Sequence, residues 1–181
     1  MKNNAWLLAA LLLVGPAVSV GVSAADPAGD RAATTILSIS PVECQLTSKD
    51  QSTLTWFREQ GAFYWTTGFP DSLWVNIPLQ IPHKAVVKGL TVYCTINGNG
   101  PDDEIEFYLS RQKMISGASQ KMATITTTIL TPSPSRRALA DDTIDYATVD
   151  NNVYSYALVL RFRSGSDKLK FHGAKIRYIA S

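Results

Sequence analysis

The chain is poor in the residues from which reactive sites are usually assembled. Among 181 residues there are two cysteines, Cys44 and Cys94, and two histidines, His83 and His172. Two Cys and two distant His fall short of the grouped ligands a zinc site needs. Neither the nucleophile elbow G-x-S-x-G nor the metalloprotease signature H-E-x-x-H occurs. Histidines at unrelated positions do not make a Ser-His-Asp set. An excess of charge is also missing. Seventeen Lys and Arg stand against 15 Asp and Glu, a formal net charge of +2. That balance gives no electrostatic drive towards nucleic acid or an anionic membrane. The sequence has no internal repeat, no low-complexity tract and no convincing amphipathic helix; only Asp50–Gln60 could hold a helical turn.

What is present begins at the N-terminus. Met1-Lys2-Asn3-Asn4 is short and basic, Ala5 to Val14 is apolar, and apolar character continues after Gly15-Pro16 to Val22. Small residues follow at Ser23, Ala24 and Ala25. This is the layout of a secretory signal peptide, and its apolar centre is short for a span of roughly 20 residues. The alternative is an uncleaved anchor. Cleavage after Ala24 or Ala25 sends the mature chain to the periplasm or the medium and leaves about 157 residues, the size of one ordinary domain. Residues 25–35 are small and polar and read as a flexible lead; the domain is expected over 36–181. In an exported chain an even cysteine count suggests one disulfide, Cys44–Cys94. It would close a loop of about 50 residues and stabilise by roughly 3–4 kcal/mol. The alternative is two separate buried thiols.

Short extended runs then alternate with turn chemistry. Leu90, Val92, Cys94 and Ile96 share one parity against Thr91, Tyr93 and Thr95, the period of a half-buried strand. Ile105, Phe107 and Leu109 alternate in the same way, and the Asn97–Asp103 segment between the two runs reads as a hairpin loop. Leu73, Val75 and Ile77 alternate with Trp74 and Asn76. Ile36–Leu46 is an opening strand broken at Pro41, and Met122–Leu130 is a further strand. Thr131–Asp142, with two prolines and paired charges, reads as a loop, and Thr143–Val149 as a short strand. Tyr154, Tyr156, Leu158, Leu160 and Phe162 form the clearest apolar stripe. In the last strand the apolar parity switches at Gly173, which suggests a β-bulge. About nine strands without a helix indicate an all-β antiparallel sandwich, jelly-roll-like, in one domain.

Several segments carry a family likeness. Trp74-Val75-Asn76-Ile77-Pro78-Leu79, Gly89-Leu90-Thr91-Val92-Tyr93-Cys94, Val149-Asp150-Asn151-Asn152-Val153-Tyr154 and Gly173-Ala174-Lys175-Ile176-Arg177-Tyr178 resemble a loose group of secreted bacterial β-sandwich proteins of uncharacterised function. The likeness covers roughly residues 70–180, departing at His83-Lys84. It implies the fold and export, and no catalytic residues come with it.

Three constellations are candidates for chemistry. The acidic loop holds Asn97, Asn99, Asp102, Asp103 and Glu104, oxygen ligands of the kind calcium gathers; a structural calcium ion is the one cofactor this sequence suggests, and ordinary turn residues are the alternative. Glu104 and Glu106 share a strand face about 7 Å apart. A glycan hydrolase uses paired acids, whereas a solvated face neutralised by Lys or Arg is the plainer reading. The third is aromatic. Trp56, Phe57, Phe63, Tyr64, Trp65, Phe69 and Trp74 crowd one stretch. Large rigid rings stack on sugars and anchor interfaces, so Trp56, Tyr64, Trp65 and Trp74 are the candidate ligand-binding residues; the alternative is that the rings fill the core. Trp74, opposite in parity to Leu73, Val75 and Ile77, is the one expected outside. His83 and His172 read as structural, and the basic residues Arg136, Arg137, Arg161, Arg163, Lys168, Lys170, Lys175 and Arg177 as wet faces of strands. The expected function is a non-enzymatic binding or structural module of the envelope or medium, whose partner is a polysaccharide or another envelope protein. A carbohydrate-binding module and a glycan hydrolase are the alternatives.

Overall fold

A computed structural model of the chain describes residues 33–46, 55–57, 61–67, 72–98, 100, 103–128, 130–163 and 168–181. The signal-peptide reading, most of the lead, Asn99, Asp102 and the side chains of Trp56 and Trp65 lie outside the described residues. Ala32–Ser181 forms one compact unit. Its strands are β1 (Thr34–Ile39), β2 (Gln45–Leu46), β3 (Thr55–Phe57), β4 (Tyr64–Thr67), β5 (Leu73–Leu79), β6 (Val86–Ile96), β7 (Ile105–Lys113), β8 (Ser119–Thr126), β9 (Ser133–Asp141), β10 (Tyr154–Phe162) and β11 (Leu169–Ile179). All pairings are antiparallel.

Nine of these strands make two sheets, and β3 and β4 form a separate ribbon. The four-stranded sheet has the order β1-β11-β6-β9 and the five-stranded sheet the order β2-β5-β10-β7-β8. Strands that neighbour one another in a sheet are mostly distant in sequence, as in a sandwich built by crossing between layers. The apolar parity of each strand faces the partner sheet. Leu73, Val75 and Ile77, then Leu158, Leu160 and Phe162, meet Leu90, Val92, Phe171 and Ile176 in one core cluster. Burying each such side chain is worth about 1.5–3 kcal/mol. Phe63 belongs to this core, bridged to Phe171, so part of the aromatic stretch is packing.

Pro41 does break the opening strand: Pro41–Glu43 is a 3-10 turn capped by Ser40 and Glu43. The parity switch at Gly173 is a bulge, with the register shifted between Phe171 and Gly173. Gly173 has φ 125, and a Cβ there would stand 2.7 Å from the Ile39 carbonyl oxygen, so only glycine lets β1 lie this close.

Four expectations need correction. The runs around Asn97–Asp103 are not a hairpin. β6 pairs with β11 and β9, while β7 pairs with β10 and β8, so the loop crosses from one sheet to the other. Thr131–Asp142 is not a loop, because Ser133–Asp141 is edge strand β9; proline and charge are tolerated on an edge, where one row of backbone groups is left for solvent. Thr143–Val149 forms a single isolated bridge, Thr148 to Val86, and Tyr146 at φ 52 interrupts any extended run. Finally, Cys44 and Cys94 are buried thiols not bridged to each other. Cys94 points inward from β6, and Cys44 precedes β2 in the opposite sheet. Burial raises the Cys94 thiol to about 11, with Arg137 opposing.

Candidate functional site

The outer face of the five-stranded sheet holds the site. Its side chains are the out-facing parity of β5, β10 and β7, and the registers align them in rows. Trp74 stands beside Arg161, which stands beside Glu106; Asn76, Val159 and Tyr108 form the next row; Pro78, Ala157 and Ser110 the next; Ser155 and Gln112 follow. The middle strand therefore contributes only Val159, Ala157 and Ser155 in sequence, while larger groups rise on either side. Small residues between large ones make a groove. It encloses about 450 Å³ and continues into a second recess of about 510 Å³ that shares Pro78, Ser155 and Tyr156 and reaches Asn151 and Tyr154.

One end of the groove is aromatic. Trp74 is 41% exposed, outside as its parity requires. It stacks on Tyr108, ring centroids 6.2 Å apart and planes 21° apart, so the two rings lean together across β10. Cations hold them: the Arg161 guanidinium lies 5.2 Å from the Trp74 ring centre and the Lys121 ammonium 3.8 Å from that of Tyr108. Such contacts are worth about 0.5–2 kcal/mol each. The lining beside them includes Asn76, whose Oδ1 is buried and has no donor among the described residues.

Beneath this platform lies an ionic cluster. Glu106 accepts from the Tyr108 hydroxyl, from Arg161 Nη1 at 3.2 Å and from Arg163 Nη2 at 2.9 Å. Arg163 Nε also faces Glu104 Oε2 at 3.0 Å, and Thr128 donates to Glu104. Burial pushes the Glu106 carboxyl up, but the bonds from Tyr108, Arg163 and Arg161 together outweigh it and hold the group below the ordinary carboxylate range. Burial and the Glu106 bond raise the Tyr108 hydroxyl to about 12, so it stays a donor. Glu104 and Glu106 are thus 6% and 8% exposed, an arginine-bridged buried pair where a solvated face was expected. The general acid of a glycosidase must stay protonated near neutral pH, a role the lowered Glu106 does not suit.

The remaining candidates are scattered. Tyr64 is half-buried on β4 beneath Lys170, near Trp74 in sequence but outside the groove's lining. Trp56 and Trp65 face each other in the backbone pairing of β3 with β4. Of the calcium candidates, Asn97 is exposed, Asp103 accepts from the Gly100 amide at 2.7 Å, and Glu104 is engaged by Arg163; among the described residues no group of three His, Cys, Asp or Glu could hold a metal. His83 approaches Asp150 at 3.8 Å, but its Nδ1 accepts from the Asn151 amide, whereas an orienting His-Asp pair needs Nδ1 to donate. Sequence reasoning missed Asn76, Tyr108, Gln112, Arg161 and the groove itself. Their out-facing parity was legible; their adjacency was not.

No family model and no curated protein matches the chain, so the group likeness rests on its motifs alone. Among solved structures the chain is similar to a xylan-binding module of family CBM15, at 9% identity over 82% of this chain and 99% of that one, TM-score 0.49. It is also similar to the CBM22-1 xylan-binding domain from Paenibacillus barcinonensis, at 13% identity over 82% and 97%, TM-score 0.47. A family 11 carbohydrate-binding module from Clostridium thermocellum is similar at 12% identity over 87% and 94%, TM-score 0.38.

Proposed function

We propose that the chain is an exported, non-enzymatic module that binds a linear polysaccharide along the outer groove of the five-stranded sheet. The observation that carries this reading is one arrangement: an exposed Trp74 backed by Tyr108 at the end of a groove whose lining includes the Asn76 amide. A sugar ring offers both complements, an apolar C–H face for the indole and a hydroxyl donor for the amide. Ser110, Gln112 and Ser155 continue the polar lining, and the length of the joined recesses suits several sugar units better than one. Glu106 is a positioning residue in this scheme, since it orients Tyr108 and Arg161 around the indole. The clamped carboxylates favour binding over hydrolysis.

The test is titration of the purified chain with neutral β-glucans, xylans and mannans, followed by Trp fluorescence and calorimetry. Saturable binding with a fluorescence shift is expected. Trp74→Ala should weaken it by about 2 kcal/mol or more, roughly thirtyfold, while the variant stays folded because Trp74 lies outside the core cluster. Binding that survives Trp74→Ala, or no binding across the panel, overturns the reading.

A further inference from the structure

The outer face of the four-stranded sheet differs from the groove and has no part in that reading. Registers place Lys175 beside Thr91 and Ser38, Arg177 beside Gly89 and Ile36, and Lys170 beside Thr95. Arg136 of β9 reaches the same surface, its Nη2 3.3 Å from His172 Nδ1. Among the described residues the one carboxylate ion-paired with these four cations is Asp142, on Arg177 at 2.6 Å. On the five-stranded sheet Arg161 and Arg163 meet Glu104 and Glu106, while Arg111 and Lys121 lie over tyrosine rings.

The cations are also held in place. Lys175 lies over the Tyr93 ring at 5.7 Å and Lys170 over Tyr64 at 4.9 Å. Gly89 has no side chain, so the Arg177–Asp142 pair lies flat across it; a Cβ there would come within 2.7 Å of Arg177 Nη2. Burial lowers the His172 pKa, and Arg136 and Lys170 push it the same way. Between the cations stand hydroxyls: Thr95 Oγ1 bonds His172 Nε2 at 2.8 Å, in a recess of about 300 Å³ lined also by Asn97, Lys168 and Lys170. Out-facing residues two apart on a strand, such as Lys175 and Arg177, sit about 7 Å from one another.

We propose that this face is a second binding surface, for an anionic polysaccharide carrying carboxylates along its length. Charge complementarity commits it to a polyanion, and the interleaved hydroxyls and the Tyr93 ring suit sugar. A lipid surface is disfavoured because membrane docking buries an apolar face, and Ile36 is the one exposed large apolar side chain on these four strands.

The experiment is affinity electrophoresis of the full chain through gels containing polygalacturonate, from about 0.05 to about 0.3 M NaCl. Retardation that fades as salt rises is expected. The Lys170→Gln/Lys175→Gln double variant should bind about tenfold or more weakly, and Trp74→Ala should bind as the parent does. The exposed Arg136→Gln single variant, which leaves β11 untouched, guards against a folding defect and should show a smaller loss. Absence of retardation, or retardation unaffected by the lysine changes, overturns the proposal. So does loss of retardation on Trp74→Ala, which would assign it to the groove. Co-sedimentation with phosphatidylglycerol vesicles in the absence of polygalacturonate binding also overturns it, in favour of a membrane. Because the neutral glycans test the groove and polygalacturonate the opposite sheet, either site can fail without the other.

Discussion

The two outer faces of the sandwich are made by the same rule and end with opposite character. In both sheets alternate residues point outward, and in both the outward set mixes aromatic rings with Lys and Arg. On the five-stranded sheet Arg161 and Arg163 meet Glu104 and Glu106, and Arg161 and Lys121 steady Trp74 and Tyr108, leaving a ring-walled groove. On the four-stranded sheet Lys170, Lys175 and Arg136 meet rings and a histidine, and the charge is left outward. The difference lies in two carboxylates. Buried charge must be paired, so the acids dictate where arginine is consumed, and cations elsewhere remain available.

Breaking the frame of one face should have the largest effect. Gly173→Ala forces a Cβ against the Ile39 carbonyl at a left-handed backbone position. A loss of about 1–3 kcal/mol is expected, or about 2–4 °C of Tm per kcal/mol. Thermal unfolding measures it. The comparison sharpens if polygalacturonate binding suffers more than neutral-glycan binding, since the bulge sets which β11 residues face out.

Removing the compensation should come next. Glu106→Gln deletes bonds to Tyr108, Arg161 and Arg163, at about 1–3 kcal/mol, softened because both arginines keep contact with water. With its acid gone, the groove face should acquire salt-sensitive retardation in polygalacturonate; failure to do so would break the two-carboxylate account. The pH dependence follows from the depressed folded pKa of Glu106. Its contribution is present above the unfolded value of 4.5 and lost as pH falls below it through the folded pKa. Acid unfolding curves of parent and variant should therefore converge below about pH 4.5.

The smallest effect concerns the shared core. Cys94, raised to about 11 by burial, should react negligibly with a disulfide reagent at pH 8 in the native chain, as thiolate is the reactive form. In guanidinium, two thiols per chain should titrate. Zero would restore the disulfide expected from the cysteine count.

Much of the sandwich was legible strand by strand. The alternation at Leu73–Ile77 put Trp74 outside, and the parity switch at Gly173 located the bulge. Edge strand β9 was not legible because its proline and arginines carry loop chemistry, and only its pairing with β6 makes it a strand. The groove could not be read because its rows join residues such as Trp74, Arg161 and Glu106, far apart in sequence.

By itself, then, the sequence determined which side of each strand is buried. That property is local: successive side chains alternate across the backbone, and apolar ones gain by leaving water. Tertiary structure alone decided which strands became neighbours. The choice depends on closing the whole core across loops such as Asn97–Asp103, and it paired Glu104 and Glu106 with Arg163, kept Cys44 and Cys94 on opposite sheets, and gave one face a groove and the other its charge.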